Sequence, residues 1–193
     1  MWKQMLPALR MTILLTILTG LVYPGVVTGL CQLIFPDKAN GSLLSRDGRV
    51  IGSSLIGQNF TKPEYFQPRP SVAGNDGYDA TASAGSNLGP TSQKLMDRVK
   101  AAADKFRKDN PDYKGPIPAD LMTASASGLD PDISPAAAAA QASRIAGARG
   151  LRVEQVNQLV ARFIQSRDLG FLGEPRVNVL LLNLELDHQF PLR

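Results

Sequence analysis

The hydrophobic and polar positions divide this chain into one uncharged N-terminal run and a longer mixed remainder. Residues 11–35 read MTILLTILTGLVYPGVVTGLCQLIF and contain no charged side chain. As a helix they would extend roughly 37 Å, which exceeds a hydrocarbon core of about 30 Å. The run is too long for the apolar region of a typical cleaved signal peptide, and no small-residue cleavage site comes after it. The pattern predicts a tail (residues 1–10), an uncleaved transmembrane helix (11–35) and a folded domain (36–193).

The predicted membrane helix contains Gly25 and Gly29, four positions apart, with Pro24 beside them. Small residues at this spacing allow a second helix to approach closely, although glycine and proline are also common in membrane helices generally. Pro24 lacks a backbone N–H, so we expect it to bend the helix. Basic residues flank both ends of the run, and their count does not decide which end faces the cytoplasm.

The residues after the membrane run begin with a hairpin pattern and continue as a long irregular stretch. Asp47-Gly48 separates two β-prone runs within residues 42–56, and Gly52 is a candidate bulge in the second run. Residues 58–90 are rich in proline, glycine and asparagine and show no periodicity. They also carry four aromatic rings, which flexible linkers seldom do. We therefore expect packed irregular structure here, around Phe60, Tyr65, Phe66 and Tyr78.

In the rest of the chain, apolar residues recur at helical spacing, and a leucine-rich run follows near the end. Helices are predicted over about 91–108, 119–122, 135–150 and 153–166, with Ser134 as the N-cap of the third and Gly150 as its C-terminal stop. The apolar stripe of the last helix is Val156, Leu159, Val160, Phe163 and Ile164. In residues 177–187, VNVLLLNLELD, leucines alternate along one face, which indicates a core strand. The predicted class is α+β, with one N-terminal transmembrane helix followed by one mixed α/β domain.

Composition narrows the possible functions. The chain has 193 residues, 44% of them hydrophobic, and a formal net charge of +4, which suits one ordinary domain. Its basic residues are scattered and its aromatics few, so no nucleic-acid footprint is present. A single cysteine excludes an intramolecular disulfide framework, and a single histidine disfavours a histidine-based metal site or catalytic triad.

Two neutral loops are the candidates for chemistry or recognition. The first loop, residues 77–92, reads GYDATASAGSNLGPTS, and the second loop, residues 123–134, reads TASASGLDPDIS. Three interpretations are open for the first loop: a flexible linker, a loop that carries a nucleophile, or a surface that meets a partner. Neither loop contains a G-x-S-x-G, S-x-x-K or phosphate-loop motif, and the lone His188 lies far along the chain. The nearby carboxylates are expected to form Asx-turns and helix caps: Asp76, Asp79, Asp130 and Asp132.

Several stretches, in this order, resemble the C subunit of the bacterial Kdp potassium-transporting P-type ATPase. They are LVYPGVVTG (21–29), YFQPRPS (65–71), SAGSNLGPTS (83–92), DLMTASASGLDPDISPAAA (120–138) and GFLGEPRVNVLLLNLELD (170–187). The resemblance covers nearly the whole chain. It implies an accessory, non-catalytic subunit of a high-affinity potassium uptake pump, with no active site or metal site of its own.

The resemblance also implies a place and partners. The chain would be a single-pass protein of the bacterial inner (plasma) membrane, with a cytoplasmic N-terminus and a periplasmic domain. Its partners would be a channel-like potassium-selecting subunit, an ATP-hydrolysing P-type subunit and a small peptide subunit, together with the lipid bilayer but not nucleic acid. Family members are described as raising the ATP affinity of the ATPase subunit, so ATP is an implied ligand, whereas potassium is handled by a partner subunit.

The membrane limits which parts of such a chain ATP can touch. An extracytoplasmic domain is separated from cytoplasmic ATP by about 30 Å of hydrocarbon, so an effect on ATP affinity is expected to be indirect. A membrane-anchored hydrolase and an extracytoplasmic ligand sensor remain as alternatives. The residues expected to contact partner subunits are Gly25, Gly29, Tyr78, Gly85, Ser86, Asn87, Ser125, Ser127 and Gly128.

Overall fold

The computed structural model describes residues 2–46 and 48–192, and these residues form two compact units. The first unit ends at Ser53 and the second begins at Ser54. The first contains α1 (Trp2–Ile17), a π-helical segment (Leu18–Val22), α2 (Tyr23–Ile34), α3 (Pro36–Ala39), β1 (Leu43–Arg46) and β2 (Arg49–Ser53). The second contains α4 (Gln93–Asp109), a 3₁₀ turn (Ala119–Leu121), β3 (Asp132–Ile133), α5 (Pro135–Arg149), α6 (Val153–Phe163), β4 (Ile164–Gln165), β5 (Arg176–Asn178) and α7 (Val179–Gln189).

The N-terminal run forms one continuous helix, Trp2–Ile34, that is long and apolar enough to cross a membrane. It starts before the predicted span, so residues of the predicted tail are helical too. Ahead of Pro24 the helix widens, and the N–H of Tyr23 bonds to the carbonyl of Leu18, five residues back. A proline cannot donate to the preceding turn, and a π segment is one way for a helix to absorb that loss. The sequence predicted a bend at Pro24, and the structure has a π-helical turn at Leu18–Val22 just before it.

The hairpin after the helix matches its prediction. β1 and β2 pair antiparallel, and the register shifts between Leu44, which lies opposite Gly52, and Ser45, which lies opposite Val50. This shift is the bulge expected at Gly52. The predicted turn residue Asp47 lies outside the described residues.

In the second unit a small three-stranded sheet, in the order β3-β5-β4, accompanies α5, α6 and α7. The N-cap and C-cap of α5 are as predicted: the Ser134 hydroxyl accepts a bond from the Ala137 N–H at 3.0 Å, and Gly150 takes a left-handed conformation with φ of +65°. The carboxylate of Asp120 accepts hydrogen bonds from the N–H and the hydroxyl of Ser134. The carboxylate at this helix start is therefore Asp120, whereas Asp130 and Asp132 were expected there. The buried face of α5 is lined with alanines, which allows close packing.

The strand predicted for residues 177–187 is wrong over most of its length. Only Arg176–Asn178 is extended, and Val179–Gln189 is the helix α7. Asn178 starts this helix, because its Oδ1 accepts the Leu181 N–H at 3.1 Å. The buried positions follow helical i, i+3, i+4 and i+7 spacing. They are Val179, Leu182, Asn183 and Leu186, and Leu180 is a fifth buried position beside this stripe.

The end of α6 also differs from its prediction. The helix stops at Phe163, and Ile164 begins the strand β4, where it is exposed rather than part of the apolar stripe. The predicted core positions Val156, Leu159 and Val160 are buried. The sheet that β4 joins was not predicted, since its strands are two or three residues long.

The irregular stretch 58–90 is packed, as its aromatic content indicated. Phe66 is fully buried in the core, and its backbone N–H and carbonyl bond to the Asn183 side-chain amide at 2.9 and 3.0 Å. The side-chain amide of Gln141 bonds to the N–H and carbonyl of Gln67 in the same way, at 2.8 and 3.1 Å. Each amide side chain therefore replaces the neighbouring strand that this segment lacks.

Two arginines of α5 complete these contacts. Arg144 donates to the carbonyls of Pro63 and Tyr65, and Arg149 donates to the carbonyl of Glu64 at 2.8 Å. Five consecutive carbonyls, from residue 63 to residue 67, thus accept bonds from side chains of α5 and α7. We call Gln141, Arg144, Arg149 and Asn183 the side-chain clamp.

Arg149 is the most completely buried charge of the clamp. Its side chain is 1% exposed, forms an ion pair with Asp187 at 2.7 Å and lies over the Tyr65 ring at 4.9 Å. It also donates to the carbonyl of Phe190 at 2.8 Å. A buried guanidinium is tolerated only when its donors are satisfied, and here α5, α7 and the irregular segment supply the partners.

Asn183→Leu is expected to lower the free energy of unfolding by about 2–5 kcal/mol, because it leaves the N–H and carbonyl of Phe66 buried without their partner. Denaturant unfolding of the full chain in detergent, followed by circular dichroism, measures the change. The matched control is Asn157→Leu on the exposed face of α6, where we expect a change within about 0.5 kcal/mol. Equal effects of the two variants would contradict the clamp.

Candidate functional site

The two neutral loops lie side by side. The Ala84 N–H and the Ser83 hydroxyl both donate to the carbonyl of Ser127, at 3.0 and 2.9 Å. Where they meet, a Cβ added to Gly85 would lie 2.6 Å from the carbonyl oxygen of Ala126. Real Cβ atoms do not approach oxygen so closely, so the contact requires glycine at this position. The small residues of the first loop therefore serve a close approach to the second.

Ser71 joins the base of the two loops. Its hydroxyl donates to the carbonyl of Gly128 at 2.6 Å and accepts the N–H groups of Ala73 and Tyr78, at 3.1 and 2.9 Å. Gly128 has φ of +69°, and a Cβ there would collide with the carbonyl of Ala84 at 2.7 Å. Sequence reasoning missed Ser71, because nothing local distinguishes it from other loop serines.

Tyr78 supports the same region from inside the domain. It is half-buried, adopts φ of +60°, and donates its hydroxyl to the carbonyl of Arg69 at 2.8 Å. Its ring lies against Gly57, where a Cβ would be 2.4 Å from the ring. Burial, and then the negative charge of Asp130, raise the pKa of the Tyr78 hydroxyl. The group is therefore protonated at neutral pH and acts as a fixed hydrogen-bond donor.

Two sets of ion pairs involve carboxylates of the second loop. Arg69 pairs with Asp130 at 2.8 Å, and Arg176 pairs with Asp132 at 3.4 Å and with Asp168 at 3.5 Å. Burial, and then the nearby Asp130, raise the pKa of Asp132, while Arg176 opposes that effect. These charges tie the irregular segment, the second loop and β5 together.

The predicted Asx-turns are confirmed at Asp79 and Asp130. Asp130 Oδ1 accepts the N–H of Asp132 at 3.0 Å, and Asp79 Oδ1 accepts the N–H and the hydroxyl of Thr81 at 2.9 and 2.7 Å. The hydrogen bonds from Thr81 lower the pKa of Asp79. Both carboxylates therefore support turns in their own loops.

The hydroxyls of Ser71 and Ser83 donate to backbone carbonyls of the second loop, and the Thr81 hydroxyl donates to the Asp79 carboxylate. His188 lies at the end of α7 with its side chain 82% exposed, and its Nδ1 is 3.7 Å from Glu185. Within residues 2–46 and 48–192, histidine, cysteine, aspartate and glutamate form no group of three or more that could hold a metal ion.

The expected partner-contact residues fall into four environments. Gly25 and Gly29 lie on the exposed N-terminal helix; Ser125 and Gly128 are buried; Ser86, Asn87 and Ser127 line the outer part of the loops. Tyr78 and Gly85 are half-buried where the loops pack. Contact with a partner stays a prediction for all nine. The loops leave a groove between them, and all the described residues that line it are uncharged: Ala84, Gly85, Ser86, Asn87, Leu88, Gly89, Ala124, Ser125 and Ala126.

Gly85→Ala is expected to lower the free energy of unfolding by about 1–3 kcal/mol, because the new methyl group collides with the Ala126 carbonyl. Gly89→Ala is the control, since a Cβ at Gly89 has nothing described within 4 Å. We expect that variant to be neutral or slightly stabilised. Denaturant unfolding compares the two, and a Gly85→Ala protein as stable as the control would show that the loops do not need this contact.

Asp132→Asn tests the raised pKa. A carboxyl group whose pKa is higher in the folded state contributes stability below its unfolded pKa and loses it as the pH rises through the folded pKa. The unfolding free energy of the wild type, relative to the variant at the same pH, should therefore increase as the pH falls from 7 to about 4. If this relative stability decreased as the pH falls, the pKa of Asp132 would be lowered in the folded state. The attraction of Arg176 would then outweigh the effects of burial and of Asp130 on that pKa.

With this geometry in place, the chain can be compared with known proteins. It matches the family described as "KdpC: K+-transporting ATPase, c chain" over residues 5–188. Its relatives include proteins named "Potassium-transporting ATPase KdpC subunit". That of Gemmatimonas aurantiaca is 58% identical over 187 residues, which cover 97% of this chain and 94% of the relative. That of Rhodospirillum rubrum is 56% identical over 192 residues, which cover 100% and 99%.

The protein of the same name from Myxococcus xanthus is 56% identical over 191 residues, which cover 98% of this chain and 90% of the relative. The length matched by the family includes most of the N-terminal helix, both loops and nearly all of α7. The chain therefore belongs to the KdpC family.

Proposed function

We propose that this chain is the accessory, non-catalytic subunit of an ATP-driven potassium uptake pump. The observation that carries the proposal is the family match over residues 5–188, with relatives of similar length named as subunits of a potassium-transporting ATPase. The loop geometry supports it, because the hydroxyls of Ser71 and Ser83 donate to the carbonyls of Gly128 and Ser127 and so hold the loops together. The same bonding counts against Ser71 and Ser83 as the nucleophile of the hydrolase alternative.

The chain spans the bacterial inner membrane once. Its helix Trp2–Ile34 has the required length and composition. In this proposal the N-terminus faces the cytoplasm and residues 36–193 lie on the periplasmic side. A large downstream domain can cross the membrane regardless of its flanking charges, so the balanced charge does not oppose this orientation.

The partners are the other subunits of the pump: the potassium-selecting subunit, the ATP-hydrolysing P-type subunit and the small peptide subunit. The exposed Gly25 and Gly29 suit a helix–helix contact inside the bilayer. The uncharged groove between the loops suits a contact that neither attracts nor repels potassium. The domain packs over the outer mouth of the potassium-selecting subunit and holds the complex together.

ATP is affected through the partners and not bound by this chain. A periplasmic domain is about 30 Å of hydrocarbon away from cytoplasmic ATP. Any increase in the ATP affinity of the P-type subunit is then an allosteric coupling, which is reciprocal. ATP should accordingly strengthen the association of this chain with the pump by the same factor.

Truncation after Phe35, which keeps the membrane helix and removes the downstream domain, tests the proposal. The pump is co-expressed with the full or the truncated chain in cells without other potassium uptake systems, and uptake is measured against potassium concentration. We expect the truncated chain to give either an unassembled pump or one with at least about tenfold weaker apparent potassium affinity, because the stabilising contacts are lost. An assembled pump with unchanged potassium affinity would overturn the proposal.

A further inference from the structure

The hairpin formed by β4 and β5 ends in a tip, residues 168–173, that exposes large apolar side chains. Leu169 is 82% exposed, Phe171 70% and Leu172 49%. They are close together in the chain and lie away from both neutral loops in sequence. A contiguous set of exposed aromatic and aliphatic side chains on a folded domain marks an interaction site more often than chance exposure does.

The shape of the tip is fixed by its own backbone. Asp168 and Leu172 exchange two N–H to carbonyl bonds, both of 2.9 Å. Gly170 and Gly173 have φ of +83° and +76°, and Leu169 has φ of +52°. A leucine in this region is strained by about 1–2 kcal/mol, so the fold keeps an unfavourable conformation that holds the Leu169 side chain outward. A preorganised tip loses little entropy when it enters a site of matching shape.

The charges around the tip are neutralised within the hairpin. Arg167 pairs with Glu174 at 2.7 Å, and Arg176 pairs with Asp168 at 3.5 Å. The hairpin therefore offers no excess positive charge to anionic lipid headgroups, which surface-bound segments normally use. Three apolar side chains without that attraction bind a bilayer only weakly. An uncharged apolar pocket of a protein, in which one aromatic and one aliphatic side chain act as anchors, fits the tip better.

We propose that the tip inserts into a preformed, uncharged apolar pocket on another subunit of the pump, with Leu169 and Phe171 as the anchors. The contact rests on the proposed function, since it assumes that the chain is a pump subunit. It adds a third attachment to the two expected of the membrane helix and of the neutral loops. The Arg167–Glu174 pair would lie at the rim of the pocket.

The test uses the complete pump with the tagged full chain, purified in mild detergent. Leu169→Gly relieves the strained backbone and removes one anchor, and Phe171→Ser removes the other. Met96→Ser, on the 50% exposed Met96 of α4, is the control. We expect the doubly substituted tip to reduce co-elution of the other subunits by about tenfold, with the unfolding free energy no lower than that of the wild type.

The outcomes separate the two proposals. If the wild-type chain co-elutes with the other subunits and the tip variant does so equally well, the tip proposal is wrong while the proposed function stands. If the wild-type chain co-elutes with none of them, the proposed function is wrong, and the tip proposal falls with it. A tip-dependent dimer of the chain alone, measured by light scattering, would assign the tip to a second copy and contradict the proposal.

A fluorescence measurement distinguishes a protein pocket from lipid. Trp2→Phe combined with Phe171→Trp places the single tryptophan at the tip, and the chain is reconstituted in nanodiscs that contain brominated phospholipids. We expect a blue-shifted emission only when the other pump subunits are present, and no bromine quenching of the chain alone. Quenching of the chain alone would assign the tip to the bilayer and overturn the proposal.

Discussion

The bonds from four side chains of α5 and α7 to five consecutive carbonyls of residues 63–67 are the constraint on which the folded unit depends. No strand in the described part of the chain pairs with this segment, and Phe66 within it is fully buried. Its backbone can enter the core only because Gln141, Arg144, Arg149 and Asn183 supply the missing hydrogen bonds. Ser71 and Tyr78 come shortly after it along the chain and hold the base of the two neutral loops. The clamp therefore sets the position of the surface that we assign to partner recognition.

The loops show how a stretch rich in serine and glycine can be ordered by contacts between its own backbone and hydroxyl groups. Gly85 and Gly128 allow backbone contacts that a side chain would block, and the hydroxyls of Ser71 and Ser83 bond to carbonyls across the contact. The outward face is a groove of small uncharged groups. Such a surface suits a subunit of a cation pump, where strong local charge would disturb the ion that the pump transports.

Much of the architecture could be predicted from local signals in the sequence. The membrane helix follows from an uncharged run, the hairpin from a turn signal with a bulge at Gly52, and α5 from Ser134 and Gly150 as its ends. The strand predicted for residues 177–187 was wrong, because a leucine-rich run satisfies alternating and helical spacing alike and only the Asn178 cap separates the two. The clamp could not be predicted, since Asn183 bonds to Phe66, 117 positions away. The family was identified from short stretches spread over the chain, whereas the apolar tip around Phe171 became visible only through its exposure.

The side of the membrane on which the folded unit lies decides whether the chain can touch ATP or only influence its binding through partners. Cys31→Ser removes the single cysteine, and a new cysteine is placed at the exposed Gln158 or at the exposed Lys3. Intact spheroplasts are then treated with a maleimide that cannot cross the membrane. With a periplasmic domain, Gln158→Cys is labelled in intact spheroplasts and Lys3→Cys only after permeabilisation. Labelling of Lys3→Cys in intact spheroplasts, with Gln158→Cys protected, would contradict this orientation and the indirect action on ATP.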